Sequence, residues 1–155
     1  MSRLVRTFLM VAACSLLAAA VRAQSAPDTI EVVVLNGPHA GTYKTPSSET
    51  ICAHYKAMKW TFATWRGFEA PDPGKLSAAA IKVLNPEQAG PKRGEVQIAF
   101  GTEPGKKVVA DYKVTDVPVT LTTKGKGAEM SFDGKTQEGV GLRVTATCSE
   151  LENLP

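Results

Sequence analysis

Leu142-Arg143-Val144-Thr145-Ala146-Thr147-Cys148 carries the cleanest alternation in the chain. Leu142, Val144, Ala146 and Cys148 share one parity, while Arg143, Thr145 and Thr147 take the other. That period of two belongs to a strand with one face in a core and one in water. Cys148 falls on the buried face.

The same alternation recurs upstream of this strand. Ile30–Leu35, Gly41–Lys44, Met58–Phe62, Ala79–Val83, Val96–Phe100, Val108–Tyr112, Val117–Leu121 and Ala128–Phe132 all read as short strands. Asn36-Gly37-Pro38, Pro71-Asp72-Pro73-Gly74, Gly125-Lys126-Gly127 and Asp133-Gly134-Lys135 punctuate them as turns. The pattern predicts an all-β fold: an antiparallel β-sandwich of about eight or nine strands, immunoglobulin-like or jelly-roll-like, with one disulfide. Pro118 has no N–H for a ladder, so its strand is expected at an edge or a bulge. Trp60 and Phe62 are expected to fill the core beneath the disulfide. Ile51, Tyr55, Met58, Phe62 and Trp65 also recur at helical spacing. The β-branched and aromatic residues there favour strand, leaving at most one helical turn near Ser48–Tyr55.

Residues 1–23 read as a secretory signal. Arg3 and Arg6 precede an apolar run from Phe8 to Val21, and Val21-Arg22-Ala23 supplies the cleavage site. Residues 24–155 then form one β-sandwich domain, long enough to bury a core. An alternative reading takes Val11-Ala12-Ala13-Cys14 as a lipobox, with a lipoprotein anchored at Cys14. The full chain carries 18 Lys and Arg against 15 Asp and Glu. Losing Arg3, Arg6 and Arg22 with the signal equalises the two. The basic balance that would argue for nucleic acid or an anionic membrane therefore vanishes. Lys92-Arg93 and Lys106-Lys107 read as solvated turn charges. No apolar run after Gln24 approaches the roughly 20 residues of a membrane-spanning helix.

Removal of Cys14 leaves Cys52 and Cys148, which export would place in an oxidising compartment. A bridge between them closes a loop of about 100 residues, for which chain entropy gives about 4.7 kcal/mol. No Cys-x-x-Cys pair points to redox work, so the disulfide is read as structural.

Motifs for chemistry are missing. His39 and His54 lack the companions of a zinc site, and no Gly-x-Ser-x-Gly elbow or phosphate-cradling glycine loop occurs. The carboxylates fall in turns and on polar strand faces, Asp111 among them. The expectation is no metal, no cofactor and no catalytic residue. The remaining handle is aromatic: Tyr55, Trp65 and Phe68 are the candidates for a ligand-binding surface, since exposed rings stack on sugars.

Asn36-Gly37-Pro38-His39-Ala40-Gly41-Thr42-Tyr43, Cys52, Lys59-Trp60-Thr61-Phe62, and Ser131-Phe132-Asp133-Gly134-Lys135-Thr136 leading through Gly139 and Val144 to Cys148 form an ordered set of blocks. The set resembles a pattern in small exported bacterial β-sandwich proteins with one disulfide and no assigned activity. The resemblance implies export, a sandwich and a bridge, and it transfers no catalytic residues. The expected function is a non-enzymatic exported protein, periplasmic or secreted, with a binding or envelope-associated role. Its partner is then a glycan or another envelope protein. A carbohydrate- or small-ligand-binding module built on the Tyr55–Phe68 aromatics is the first alternative, and a hydrolase with dispersed residues the second.

Overall fold

A computed structural model describes residues 27–67, 74–101 and 110–155. The signal-like segment with Cys14, Phe68, the Pro71-Asp72-Pro73 loop, and Lys106-Lys107-Val108 lie outside the described residues. Among those described, every regular element is a strand. The first five are β1 (Thr29–Val34), β2 (Gly41–Lys44), β3 (Ile51–Tyr55), β4 (Trp60–Arg66) and β5 (Leu76–Leu84). The others are β6 (Lys92–Phe100), β7 (Ala110–Lys124), β8 (Gly127–Lys135), β9 (Gly141–Cys148) and β10 (Glu152–Leu154). The possible helical turn near Ser48–Tyr55 resolves as a single turn at Pro46–Glu49 followed by strand β3.

The strands form one hydrogen-bonded sheet in the order β10-β3-β4-β5-β6-β7-β8-β9-β1-β2. Neighbours are antiparallel, apart from β10, which runs parallel to β3. The all-β architecture and the bridge match the alternation and the cysteines. In place of two separate sheets, however, the chain makes a single curled half-barrel.

The reason lies in β7. Its first part pairs with β6 as far as Val119 opposite Lys92, and its last part pairs with β8 from Thr120 opposite Ser131. One strand thus belongs to both halves, and the sheet is continuous through it. Asp116, at φ 52°, is the extra residue of a bulge between the Thr115–Glu95 and Val117–Gly94 pairs. It shifts the alternation by one. Val114 is buried before the bulge and Val119 after it, so Ala110–Tyr112, the described part of the Val108–Tyr112 run, and the Val117–Leu121 run are two phases of one strand. Pro118 sits beside this bulge, just before pairing to β8 begins, where a missing N–H is tolerated. Gly94 is required opposite the bulge, because a Cβ there would stand 2.1 Å from the Lys82 carbonyl oxygen.

Two hairpin readings also change or hold. Gly125, at φ 60°, opens the two-residue turn between Lys124 and Gly127, as expected. Asp133-Gly134-Lys135 instead continues β8, with Asp133 opposite Arg143, and the chain turns at Thr136–Val140.

The curl brings β1 across from β4 and β5, and β8 across from β5. Ile30, Val32, Ile81, Val83, Val96, Ile98, Phe100, Met130, Leu142 and Val144 fill the interior with no measurable exposure. Cys52 and Cys148 are bonded across it, with their Cα atoms 5.9 Å apart and a sequence separation of 96. That is the usual Cα separation of a disulfide, and the inward positions beside it are taken by small side chains. Each cysteine accordingly has an alanine as its cross-strand partner: Ala63 beside Cys52 and Ala128 beside Cys148.

Candidate functional site

The bridge decides which way β4 faces. Cys52 points inward, so its partner Ala63 does too, along with Thr61, which is opposite His54. Trp60 and Phe62 therefore occupy the outer face, and their expected place in the core is corrected. The inward position beside Cys52 is filled by Ala63.

On the outer face Tyr55 pairs directly with Trp60, and Phe62 follows two residues along. All three rings are half-buried. Ala78, Ala80 and Ala99 are outward-facing on β5 and β6, opposite Arg66, Thr64 and Asp111 respectively, and keep the surface low beside the rings. Polar groups stand opposite them. The Lys82 ammonium lies 4.1 Å from the centre of the Trp60 ring and 2.6 Å from Glu95. Gln97 donates to both carboxylate oxygens of Asp111 at 3.2 Å. The result is a slot of about 370 Å³ lined by Tyr55, Trp60, Phe62, Ala80, Lys82, Glu95, Gln97 and Lys113, with the Lys82 ammonium over the Trp60 ring. Ligand sites are typically 300–1,000 Å³, apolar with a few fixed polar groups.

Of the residues singled out from the sequence, Tyr55 belongs to this face. Trp65 has the opposite parity on β4 and packs against the interior cluster. Its indole N–H donates to Glu49 at 2.9 Å, and its ring lies over Gly67, where a Cβ would come within 2.9 Å of it. A groove of about 880 Å³ runs past Trp65, Glu49 and Arg66. The sheet therefore separates Tyr55 from Trp65, and Phe68 is outside the described residues. Trp60 and Phe62 are the residues sequence reading missed. A parity argument could have found them: Cys52 faces in, Tyr55 three residues on faces out, and a hairpin after Tyr55 carries Trp60 to the same side.

The two histidines have different neighbours. His39, in the β1–β2 turn, stacks on Phe100 at 4.4 Å, and Tyr43 and Tyr112 meet Phe100 edge-on. Tyr43 donates its hydroxyl to the His39 carbonyl at 2.9 Å. Burial, aided by the neighbouring Tyr43, holds the Tyr112 phenol above its ordinary range. His54 Nδ1 is 3.0 Å from the Thr61 hydroxyl. Among the described residues no group of three His, Cys, Asp or Glu side chains converges as a metal site would require. The arrangement offers stacking and hydrogen bonding.

No family model, curated protein or solved structure matches this chain.

Proposed function

We propose that this protein is an exported, non-enzymatic binding domain that stacks a carbohydrate ring on the outer face of β3–β5. The observation that carries the reading is the row Tyr55–Trp60–Phe62 on the solvent side of the sheet, beside the polar wall of Lys82, Glu95 and Gln97. A pyranose has an apolar C–H face that suits an aromatic ring and an equatorial hydroxyl rim that suits such a wall. Export, to the periplasm or outside the cell, is supported by the Cys52–Cys148 bond and by the signal-like pattern of residues 1–23. Among the described residues no helix is long and apolar enough to cross a membrane.

Intrinsic tryptophan fluorescence tests the reading against a panel of neutral and acidic oligosaccharides. A saturable shift is expected with at least one sugar, lost in Trp60→Ala and kept in Trp65→Phe. No shift across the panel overturns the reading. So does a shift lost in Trp65→Phe and kept in Trp60→Ala.

A further inference from the structure

Lys82 faces outward on β5, between the buried Ile81 and Val83, opposite Phe62 on β4 and Glu95 on β6. Trp60 stands two residues from Phe62, so it is the diagonal neighbour of Lys82, within reach of a long side chain. Lys82 makes that reach. Its ammonium sits over the Trp60 ring, 4.1 Å from the centre, and 2.6 Å from Glu95. The Lys82 and Glu95 side chains are 23% and 35% exposed, so both contacts are partly shielded from water.

Trp60, Lys82 and Glu95 line one slot. A cation and the C–H face of a sugar both seek the π-face of an indole, and only one of them can lie on it. In the free protein the occupant is the Lys82 ammonium. Its hold is modest, since a cation–π contact of this kind is worth about fivefold in an equilibrium constant. Leaving the ring does not cost the ion pair. Glu95 is on β6 and Trp60 on β4, so the two partners of Lys82 lie on opposite sides of its own strand.

We infer that Lys82 is a built-in competitor of the glycan, resting on the Trp60 ring in the free protein and swinging towards Glu95 when a sugar stacks there. This rests on the aromatic-face reading above and adds to it the control and the ring preference of the same slot. Swung aside, the ammonium borders the bound ring, so a sugar carrying an amino group meets a like charge. The slot therefore prefers uncharged rings to amino sugars.

Calorimetry with the neutral oligosaccharide that gives the largest fluorescence shift compares the parent with two variants at position 82. Lys82→Gln keeps an N–H donor and removes the competing charge, so it is expected to bind about fivefold tighter. Lys82→Arg is expected to bind more weakly than the parent, because a guanidinium stacks on an aromatic face. A residue that only donates hydrogen bonds to the sugar gives the reverse order, since charged donors bond more strongly. The 2-amino-2-deoxy counterpart of the same oligosaccharide is expected to bind the parent more weakly, and to recover in Lys82→Gln.

The contact is also read without a sugar. The chain has two tryptophans, so Trp65→Phe leaves Trp60 as the sole emitter, and adding Lys82→Gln is expected to shift its emission. An unmoved emission overturns the inference. Any order other than Gln, Lys, Arg from tightest to weakest also overturns it and leaves the aromatic reading standing, as does a parent that binds the amino sugar equally well. No binding by the parent and both variants overturns the aromatic reading, and this inference with it.

Discussion

Strands β4 and β8 hold equivalent positions, each paired with a cysteine strand, yet they put opposite kinds of side chain on the same faces. In β8 the inward residues are Ala128, Met130 and Phe132, and the outward ones are Glu129, Ser131 and Asp133. In β4 the inward residues beside the bridge, Thr61 and Ala63, are small, with Trp65 following at the edge of the core, and Trp60 and Phe62 point out. The outer side of β8 and β9 is closed by charge pairs such as Arg143–Asp133 at 2.9 Å. That of β3–β5 carries rings. Beside each bonded cysteine the inward cross-strand residue is an alanine, and on β4 the bulk next to Ala63 lies on the outer face as an aromatic surface.

Phenylalanine truncation on each strand breaks or sustains this comparison most sharply. Phe132 is 4% exposed inside the curl, and Phe132→Ala is expected to cost about 3–5 kcal/mol. Phe62→Ala, on the outer face, should cost about 1 kcal/mol. Denaturant unfolding of both variants measures the gap, and similar losses would show that Phe62 serves the core after all.

The next effect comes from filling the inward position beside Cys52. Ala63→Leu adds bulk beside Cys52 and is expected to cost about 1–3 kcal/mol, whereas Thr64→Leu, the neighbour facing out, should stay within about 0.5 kcal/mol. If the bridge is what limits the room there, replacing both cysteines with serine relaxes it and shrinks the Ala63→Leu penalty. A double-mutant cycle measures that coupling. Additive losses would mean that something other than the bridge limits the room at Ala63.

Much of this was legible in the chain. Leu142–Cys148 announced a strand with Cys148 buried, and the two cysteines announced their bond, because period two and cysteine count are local facts. The single curled sheet was not legible. It depends on β7 changing partners between Val119 and Thr120, a long-range choice. Its one local trace is the phase change from Val114 to Val117 across Asp116. The aromatic face was hidden for a related reason. Trp60 and Phe62 satisfy alternation equally well in either direction, and hydrophobicity favours inward. Only the pairing of Ala63 with Cys52 decides, and that is set by the hairpin and the bridge together. Trp65 takes the opposite parity to Trp60 along the strand, and the fold uses it to place the indole against Glu49 at the edge of the core.

Tyr112 supplies the smallest effect and tests the far side of the same interior, where large rings replace the alanines. Its ring centre lies 5.9 Å from that of Phe100, and its phenol is held above the usual 10.0, first by burial and then by Tyr43. The sign follows from which state ionises first. Above about pH 10 the unfolded chain releases the phenolic proton that the folded chain retains, so unfolding is favoured. The stabilisation is complete below pH 10 and declines as pH rises towards the folded value. Tyr112→Phe keeps the edge-on contact with Phe100 and deletes the proton. Its melting temperature is expected to fall less between about pH 9 and pH 11 than that of the parent, while the two nearly coincide near neutrality. Parallel alkaline declines would mean that the Tyr112 hydroxyl reaches solvent as freely as in the unfolded chain. The region around Phe100 would then be as permissive at its rim as the Trp60 face is.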